Sequence, residues 1–379
     1  MGLGVALPSR HRSLTPDDSI HMLNGVPRIL IIRLSAIGDV VRVLPALHAL
    51  RDLYPTAQID WVVEPKSAAV VEGHPALDQV ILFERVEGLV DAARAFKETA
   101  RVIRENRYDI AIDFHGILKS GMLLRASRAK RRVAFAPPRS QEMSHLFANE
   151  KVDLPSQRMN RIEENLALVR ALGAKLHSLD VVIDVPHDAE DDIDEYLEDV
   201  FHADKHLVLV HAPVDRPEKQ WPLKHFADLC DMLAADGRFE VLLTWGPGQQ
   251  EVAQEVAAMS KRKPLVAPET PDLKHYAALA TRAGLFVGGD TGPMHIASAM
   301  GTPVVVIFGG TDPAKHAPLR QPSEILYVGP EPFPKDVSLT EAQVYLSGVL
   351  PEQVYDACLR AAFPMRDRAV QSPPNMEGE

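Results

Sequence analysis

The chain has 379 residues, of which 46% are apolar and 25% charged, and its formal net charge is −11. Such a length gives room for two or three domains with cores of their own, and the composition is that of a soluble globular protein. The acidic balance argues against general nucleic-acid binding while leaving room for a local basic patch, and two cysteines, Cys230 and Cys358, exclude a disulfide scaffold and fit a reducing cytoplasm.

Residues 1–25 hold Arg10, Arg12, Asp17 and Asp18 but no apolar run of the kind a targeting segment needs, so they read as a disordered N-terminal extension. From residue 26 short β-branched runs alternate with helical periodicity. Strands are expected at Arg28–Leu34, Gln58–Val63, Gln79–Phe83, Asp109–Phe114, Arg132–Phe135 and Val181–Val185. Helices are expected between them at Val40–Leu53, Leu89–Asn106, Leu118–Ser127 and Arg161–Leu172. Residues 136–158 show no period and read as a loop. These elements make residues 26–187 a first α/β domain.

The acidic stretch Asp188 to Asp199 opens a second unit, residues 188–363. Its expected strands are Leu207–His211, Glu240–Trp245, Leu265–Val266, Leu285–Val287, Pro303–Phe308 and Glu324–Val328. Its expected helices are Leu223–Ala235, Glu251–Ser260, Leu273–Ala283 and Met294–Met300, with Pro351 leading a last one, Glu352–Ala362. The most apolar stretch, Ala283 to Gly310, is broken by Asp290, Pro293 and Pro303, so it reads as strand and helix and not as a membrane span. Residues 364–379 read as a flexible tail. Strand–helix alternation in both units predicts parallel sheets with helices on both faces.

Two turns stand out because each joins an apolar strand to a helix through glycine: Ser35-Ala-Ile-Gly38-Asp39 and Gly288-Gly-Asp290-Thr291-Gly292-Pro293-Met-His295. Backbone N–H groups at such turns point past the sheet edge, where open α/β sheets bind ligands and helix N-termini favour phosphate. Asp39 serves equally well as a helix cap or as a carboxylate that takes a proton from a substrate hydroxyl. Asp290 and Thr291 fit capping as well as diphosphate binding, and His295 fits a packed apolar face as well as a ligand site. A third segment, His211 to Pro222, carries Arg216 and Lys219 in a loop; a lysine there is either solvated or a point charge for phosphate. Gly246-Pro-Gly248 lacks the third glycine of a dinucleotide fingerprint, there is no P-loop, and no spacing suggests a metal cage.

Taken in order, Leu34-Ser-Ala-Ile-Gly-Asp-Val, Leu44-Pro-Ala-Leu, Lys219-Gln-Trp-Pro, Gly288-Gly-Asp-Thr-Gly-Pro-Met-His and Phe308-Gly-Gly-Thr-Asp-Pro resemble the inverting glycosyltransferase family of ADP-heptose:lipopolysaccharide heptosyltransferases. The resemblance runs from Arg28 to Ala362. With Asp113-Phe-His-Gly-Ile-Leu-Lys-Ser120 among the motifs, it looks closer to the first heptosyltransferase than to the second. It implies a GT-B fold, two Rossmann-like domains facing a cleft, with an acceptor domain first and a nucleotide-sugar donor domain second. By position it implies Asp39 as catalytic base, Lys219 as the diphosphate lysine that also assists the leaving group, and Asp290, Thr291 and Gly292 in the donor turn, with His295 beside them. Two departures concern the donor. Pro213 and Val214 stand where the family often has hydroxyl residues, and the glutamate that holds the donor ribose is shifted, with Gln250 in its place and Glu251 after it.

The implied reaction is direct displacement. Asp39 deprotonates the acceptor hydroxyl on one wall while Lys219 and the amides of Thr291 and Gly292 stabilise the departing diphosphate on the other. No cofactor and no metal are called for. The run of Lys119, Arg125, Arg128, Lys130, Arg131, Arg132 and Arg139 is unbroken by an acid until Glu142. It reads either as a solvated face or as an acceptor surface for the Kdo and phosphates of a lipopolysaccharide core, using Lys119, Arg128, Arg131 and Arg132. The expected setting is the cytoplasm, with peripheral contact to the anionic inner face of the inner membrane also open. Two other functions stay open at this point, a GT-B-like sugar-nucleotide epimerase and a non-catalytic sugar-nucleotide-binding protein.

Overall fold

The computed structural model describes residues 26–363 apart from Leu176, Ala203 and Gln321; the expected N-terminal extension and C-terminal tail lie outside the described residues. The first half runs through β1 (Arg28–Ile32), α1 (Ile37–Val41), α2 (Leu44–Leu53), β2 (Gln58–Val63), α3 (Pro65–Ala68), β3 (Gln79–Leu82) and α4 (Leu89–Glu105). It continues with β4 (Ile110–Asp113), α5 (Leu118–Ala126), β5 (Arg131–Phe135), a 3₁₀ turn at Ser144–Phe147, β6 (Glu150–Val152) and α6 (Arg161–Arg170). The second half begins with α7 (His187–Val200), β7 (His206–His211), a 3₁₀ turn at Pro217–Lys219, α8 (Leu223–Asp236), β8 (Phe239–Thr244) and α9 (Gln250–Met259). It ends with β9 (Leu265–Val266), α10 (Leu273–Arg282), β10 (Leu285–Gly289), α11 (Gly292–Ala299), β11 (Val304–Ile307), α12 (Pro313–His316), β12 (Ser323–Leu326), α13 (Leu339–Gly348) and α14 (Pro351–Ala362).

The halves form two parallel six-stranded sheets, ordered β3-β2-β1-β4-β5-β6 and β12-β11-β10-β7-β8-β9. In each, the chain lays its first strand mid-sheet, adds two strands on one side, then crosses to the other. That reversal opens a crevice beyond the C-terminal ends of β1 and β4 in one sheet and of β7 and β10 in the other. Central strands such as β1 and β11 read as unbroken apolar runs because helices cover both faces; Ile29 to Ile32 and Val304 to Val306 are fully buried.

The halves share a seam. Tyr276, Ala277, Ile296 and Ala299 of the second half join the buried cluster built on Ile29, Leu47, Trp61 and Leu166 of the first. There α1 lies against α11, and two glycines permit the approach. A Cβ on Gly38 would stand 2.6 Å from His295 Cδ2, and one on Gly292 would stand 3.1 Å from Ile37 Cβ.

Four expectations need correction. Val181–Val185 is not a strand: it crosses between the halves as extended chain, burying Ile183, and the Lys274 ammonium takes the carbonyl of Asp184 where a ladder would have done so. The sixth strand is β6, inside the segment expected to be a loop. It is a three-residue edge strand too short and polar to show a period, pinned to β5 by register and by Arg131 on Glu150. The expected helix Val40–Leu53 is two helices with a turn at Arg42–Val43, because Pro45 offers no N–H to the carbonyl of Val41. Finally, α7 and α13, and the one-turn helices α3 and α12, are helices where none was expected.

Candidate active site

On the first half, β1 ends at Ile32 and the chain turns into α1, which puts Asp39 in the first turn of that helix. The helix is entered at Ala36 with no side-chain cap, so Asp39 is not spent on capping. Its carboxylate lies between two guanidiniums, Arg33 Nη2 at 2.5 Å and Arg42 Nη1 at 2.8 Å, with its side chain 33% exposed. Arg33 is itself buried and fixed, donating Nη1 to the carbonyl of Phe114 at 2.8 Å. Burial works to raise the Asp39 pKa, but Arg33 and Arg42 prevail and hold it well below the usual carboxylate range. Asp39 is therefore ionised at any physiological pH.

On the second half, β10 ends at Gly289 and Asp290 follows, its side chain only 3% exposed. Four side chains surround the carboxylate: Lys219 Nζ at 2.8 Å, Arg42 Nη2 at 3.1 Å, Thr311 Oγ1 at 3.1 Å and His295 Nε2 at 3.1 Å. Burial opposes its ionisation, yet His295, Arg42 and Lys219 outweigh it and keep Asp290 well below its ordinary pKa. Arg42 Nη2 also meets His295 Nε2 at 2.5 Å. A guanidinium only donates, so against Arg42 the ring nitrogen accepts, whereas against Asp290 it donates; the neutral imidazole makes one of these bonds at a time. Burial and the Arg42 charge together bring His295 down to about 4. Next to it, burial holds His316 at about 3.

Arg42 thus touches both walls, joining Asp39 of one half to Asp290 of the other. Thr291 precedes α11 at the capping position, but its hydroxyl makes no cap bond and is buried without a partner. Gly292 opens the helix and Pro293 carries no N–H, so the amides left without a helical acceptor at this end are those of Gly292 and Met294. Lys219 sits in the 3₁₀ turn that precedes α8, and its ammonium bonds the Asp290 carbonyl and carboxylate, both at 2.8 Å. A diphosphate arriving at the turn would draw the ammonium away from Asp290.

The expected residues do not all meet. Asp39, Lys219, Asp290, Thr291, Gly292 and His295 gather along the crevice. Gln250 and Glu251 open α9 beyond the end of β8, both exposed and on the same sheet edge. Lys119 opens α5 after β4 and lies 3.6 Å from Glu64, on the Asp39 edge of the first sheet. Arg128, Arg131 and Arg132 do not come there. They precede or begin β5, where Arg131 is in register with Ile110 at the start of β4, so they occupy the opposite edge. Arg131 is bound to Glu150 at 2.7 Å, and Arg132 donates to the carbonyls of Phe147 and Ala129. Sequence reasoning missed Arg33, Arg42, Thr311 and His316. The i,i+3 spacing of Asp39 and Arg42 was a usable sign of their pairing; the convergence of Thr311 and His316 on Asp290 was visible only in three dimensions. Among the described residues no group of three or more His, Cys, Asp or Glu side chains could hold a metal ion.

Comparison with known proteins follows the same lines. The family model described as glycosyltransferase family 9 (heptosyltransferase) matches residues 97–345. Lipopolysaccharide heptosyltransferase 1 of Campylobacter coli is 27% identical over 315 residues, covering 76% of this chain and 86% of that protein. Among solved structures, a glycosyl transferase family 9 protein from Veillonella parvula superposes with a TM-score of 0.77 at 23% identity, covering 89% of this chain and 97% of the other. The E. coli heptosyltransferase WaaC with ADP gives 0.69 at 23% identity over 87% and 98%. At these identities the structures speak to the fold, which is GT-B: two Rossmann-like parallel sheets facing a cleft.

Proposed function

Because the chain belongs to glycosyltransferase family 9, the heptosyltransferase family, we propose that it transfers heptose from ADP-heptose, with inversion, to the Kdo/heptose inner core of lipopolysaccharide. The observation that carries this reading is the opposition of two ionised carboxylate sites across one crevice, Asp39 on the first wall and Asp290 with Lys219 on the second. In this reading residues 26–187 serve the acceptor and residues 188–363 the donor. The enzyme works in the cytoplasm, at the membrane face that carries the lipid-anchored acceptor.

The acceptor oxygen bonds the anomeric carbon while the bond from that carbon to the β-phosphate oxygen breaks on the opposite face. ADP leaves with the electron pair, and the acceptor proton passes to Asp39. A carboxylate held so far below its usual range cannot deprotonate a neutral hydroxyl in advance. The transfer becomes favourable only as the new C–O bond makes the acceptor oxygen positive, so Asp39 acts late and keeps its charge until then. Lys219 and the amides of Thr291 and Gly292 receive the charge growing on ADP. Asp290 orients Lys219 and is itself held by Arg42 and Thr311.

Incubating the protein with ADP-heptose and a delipidated core saccharide should yield glycosylated acceptor and ADP. ADP-heptose should be preferred over UDP- and GDP-sugars in a calorimetric screen. Conversion of donor in the absence of acceptor would indicate an epimerase, and donor binding without turnover on any acceptor would indicate a binding protein.

A further inference from the structure

His316 is a polar side chain that the crevice holds in place without bonding. It ends α12, and both halves grip that short helix. Asp312 caps it by accepting from the Ala314 amide at 3.1 Å, while Arg158 of the first half donates to both Asp312 oxygens at 3.0 Å. Asn160 of the first half donates to the Ala317 carbonyl at 2.9 Å, and Arg42 Nη2 donates to the carbonyl of His316 itself at 3.4 Å. The backbone is fixed, yet the imidazole Nδ1 is buried with no hydrogen-bond partner. A buried polar atom left unpaired costs free energy, so its placement calls for a reason. Nδ1 stands 4.0 Å from Asp290 Oδ2, just beyond hydrogen-bond reach.

That oxygen is already occupied. Asp290 Oδ1 meets Arg42 and His295, both at 3.1 Å, while Oδ2 accepts from Lys219 at 2.8 Å and from Thr311 at 3.1 Å. Lys219 is the partner that a diphosphate would remove. Its departure would leave a buried carboxylate one cation short and beside a newly arrived anion. The charges facing His316 make it responsive to that exchange. Burial holds the imidazole at about 3; Asp290 pulls it up, whereas Arg42 at the end of α1, Arg161 on α6 and Lys219 push it down. Asp39 faces it from α1, and Asp312 and Lys315 share its own segment. A diphosphate bound to Lys219 offsets that lysine and adds negative charge, so the balance moves toward the imidazolium.

We propose that His316 is the replacement counter-ion of Asp290: when the donor diphosphate takes Lys219, the imidazole gains a proton from solvent and donates Nδ1–H to Asp290 Oδ2, holding that carboxylate in place. His316 is thus a positioning residue, acting through Asp290 on the donor turn. The proposal rests on the reading of Lys219 as the diphosphate lysine. It makes donor binding proton-linked. A group whose pKa is higher in the complex than in the free protein takes up a proton on binding, so affinity rises as pH falls through the pKa of the complex.

The test is calorimetric titration of ADP-heptose, without acceptor, in buffers of different ionisation enthalpy. This donor has no phosphate group that titrates near neutrality, so any buffer dependence belongs to the protein. At pH 6 wild type should take up on the order of half a proton, and affinity should strengthen between pH 7.5 and 6. His316→Asn keeps a neutral donor near the Nδ1 position, so it should bind with modest loss, no proton uptake and a flat pH dependence. His316→Ala should weaken binding by roughly tenfold. A second measurement needs no donor: thermal melts at pH 6 of Lys219→Ala, His316→Ala and the double variant. His316→Ala should cost little while Lys219 is present and clearly more once Lys219 is gone. Binding without proton uptake in wild type, uptake that persists in His316→Asn, or additive effects in the melts would overturn the proposal. Uptake that persists would place the proton on another group, such as His295. A donor that fails to bind in every buffer would contradict the reading of Lys219, and the melts would still decide whether His316 backs Asp290.

Discussion

Asp39 follows β1 and Asp290 follows β10, each past the C-terminal end of a central strand, and both lie within reach of the same Arg42 guanidinium. Both carboxyls are held well below the usual range against a burial that would raise them. Yet the Asp39 side chain is 33% exposed and touches only arginines, while that of Asp290 is 3% exposed inside a ring of Lys219, Arg42, His295 and Thr311. Equal charge in unequal surroundings gives unequal work. A carboxylate that reaches the crevice can meet substrate, whereas one enclosed by donors can only aim those donors.

The largest effect should come from the exposed member. Asp39→Asn should lower turnover by roughly 10²- to 10⁴-fold, since a positioned base contributes about that much, with the fold retained. Lys219→Ala should lower turnover on the order of 10²-fold and weaken ADP far more than adenosine in calorimetry. Equal losses for the two ligands would mean that Lys219 does not meet the diphosphate. It would leave Asp290 short of one charge partner, so a smaller loss of thermal stability should accompany it.

Arg42→Gln breaks the comparison at its shared element. Asp39 loses one of two cations, so the acid limb of the pH–rate profile should move up toward the ordinary carboxylate range, with turnover falling roughly tenfold. Arg42→Lys should restore part of the limb. An unmoved limb would show that Arg33 alone sets the charge on Asp39.

Acid should also separate folding from chemistry. Burial holds His74, His211 and His295 near 4 in the folded protein. Unfolded histidines take protons near pH 6.5, so below that pH the unfolded state binds more protons than the native one. Stability should therefore fall as pH drops from about 6.5 to about 4, by about 1.4 kcal/mol per pH unit for each such histidine in mid-window. Thermal melts across that range would check it; a flat profile would place those imidazoles in water. Smallest of all should be the catalytic effect of Arg128→Gln/Arg131→Gln/Arg132→Gln. Arg131 holds Glu150 and Arg132 holds backbone carbonyls at the far edge of the sheet, so a modest loss of melting temperature is expected, with ADP affinity and acceptor KM nearly unchanged.

Much of this was legible in the chain. Apolar runs gave the parallel strands, and glycine between strand and helix marked both turns. Val181–Val185 misled because alternation reports burial on one side and not the presence of a ladder, and that segment buries Ile183 without one. β6 was invisible because an edge strand of three residues needs only main-chain pairing. The reach of Arg42 across 248 positions to Asp290 has no local signature, although its pairing with Asp39 three residues away does. The basic cluster read as one patch because sequence proximity hides sheet polarity: Lys119 and Arg131 lie at opposite ends of the strands they adjoin.

The division of labour between the two turns is tested most directly by titrating ADP into folded Asp39→Asn and Lys219→Ala side by side in a calorimeter, with single-turnover rates measured on the same samples. Asp39→Asn should bind ADP like wild type while its transfer rate collapses, and Lys219→Ala should lose both. Near-normal transfer by Asp39→Asn, or an ADP affinity lost equally in the two variants, would contradict the account.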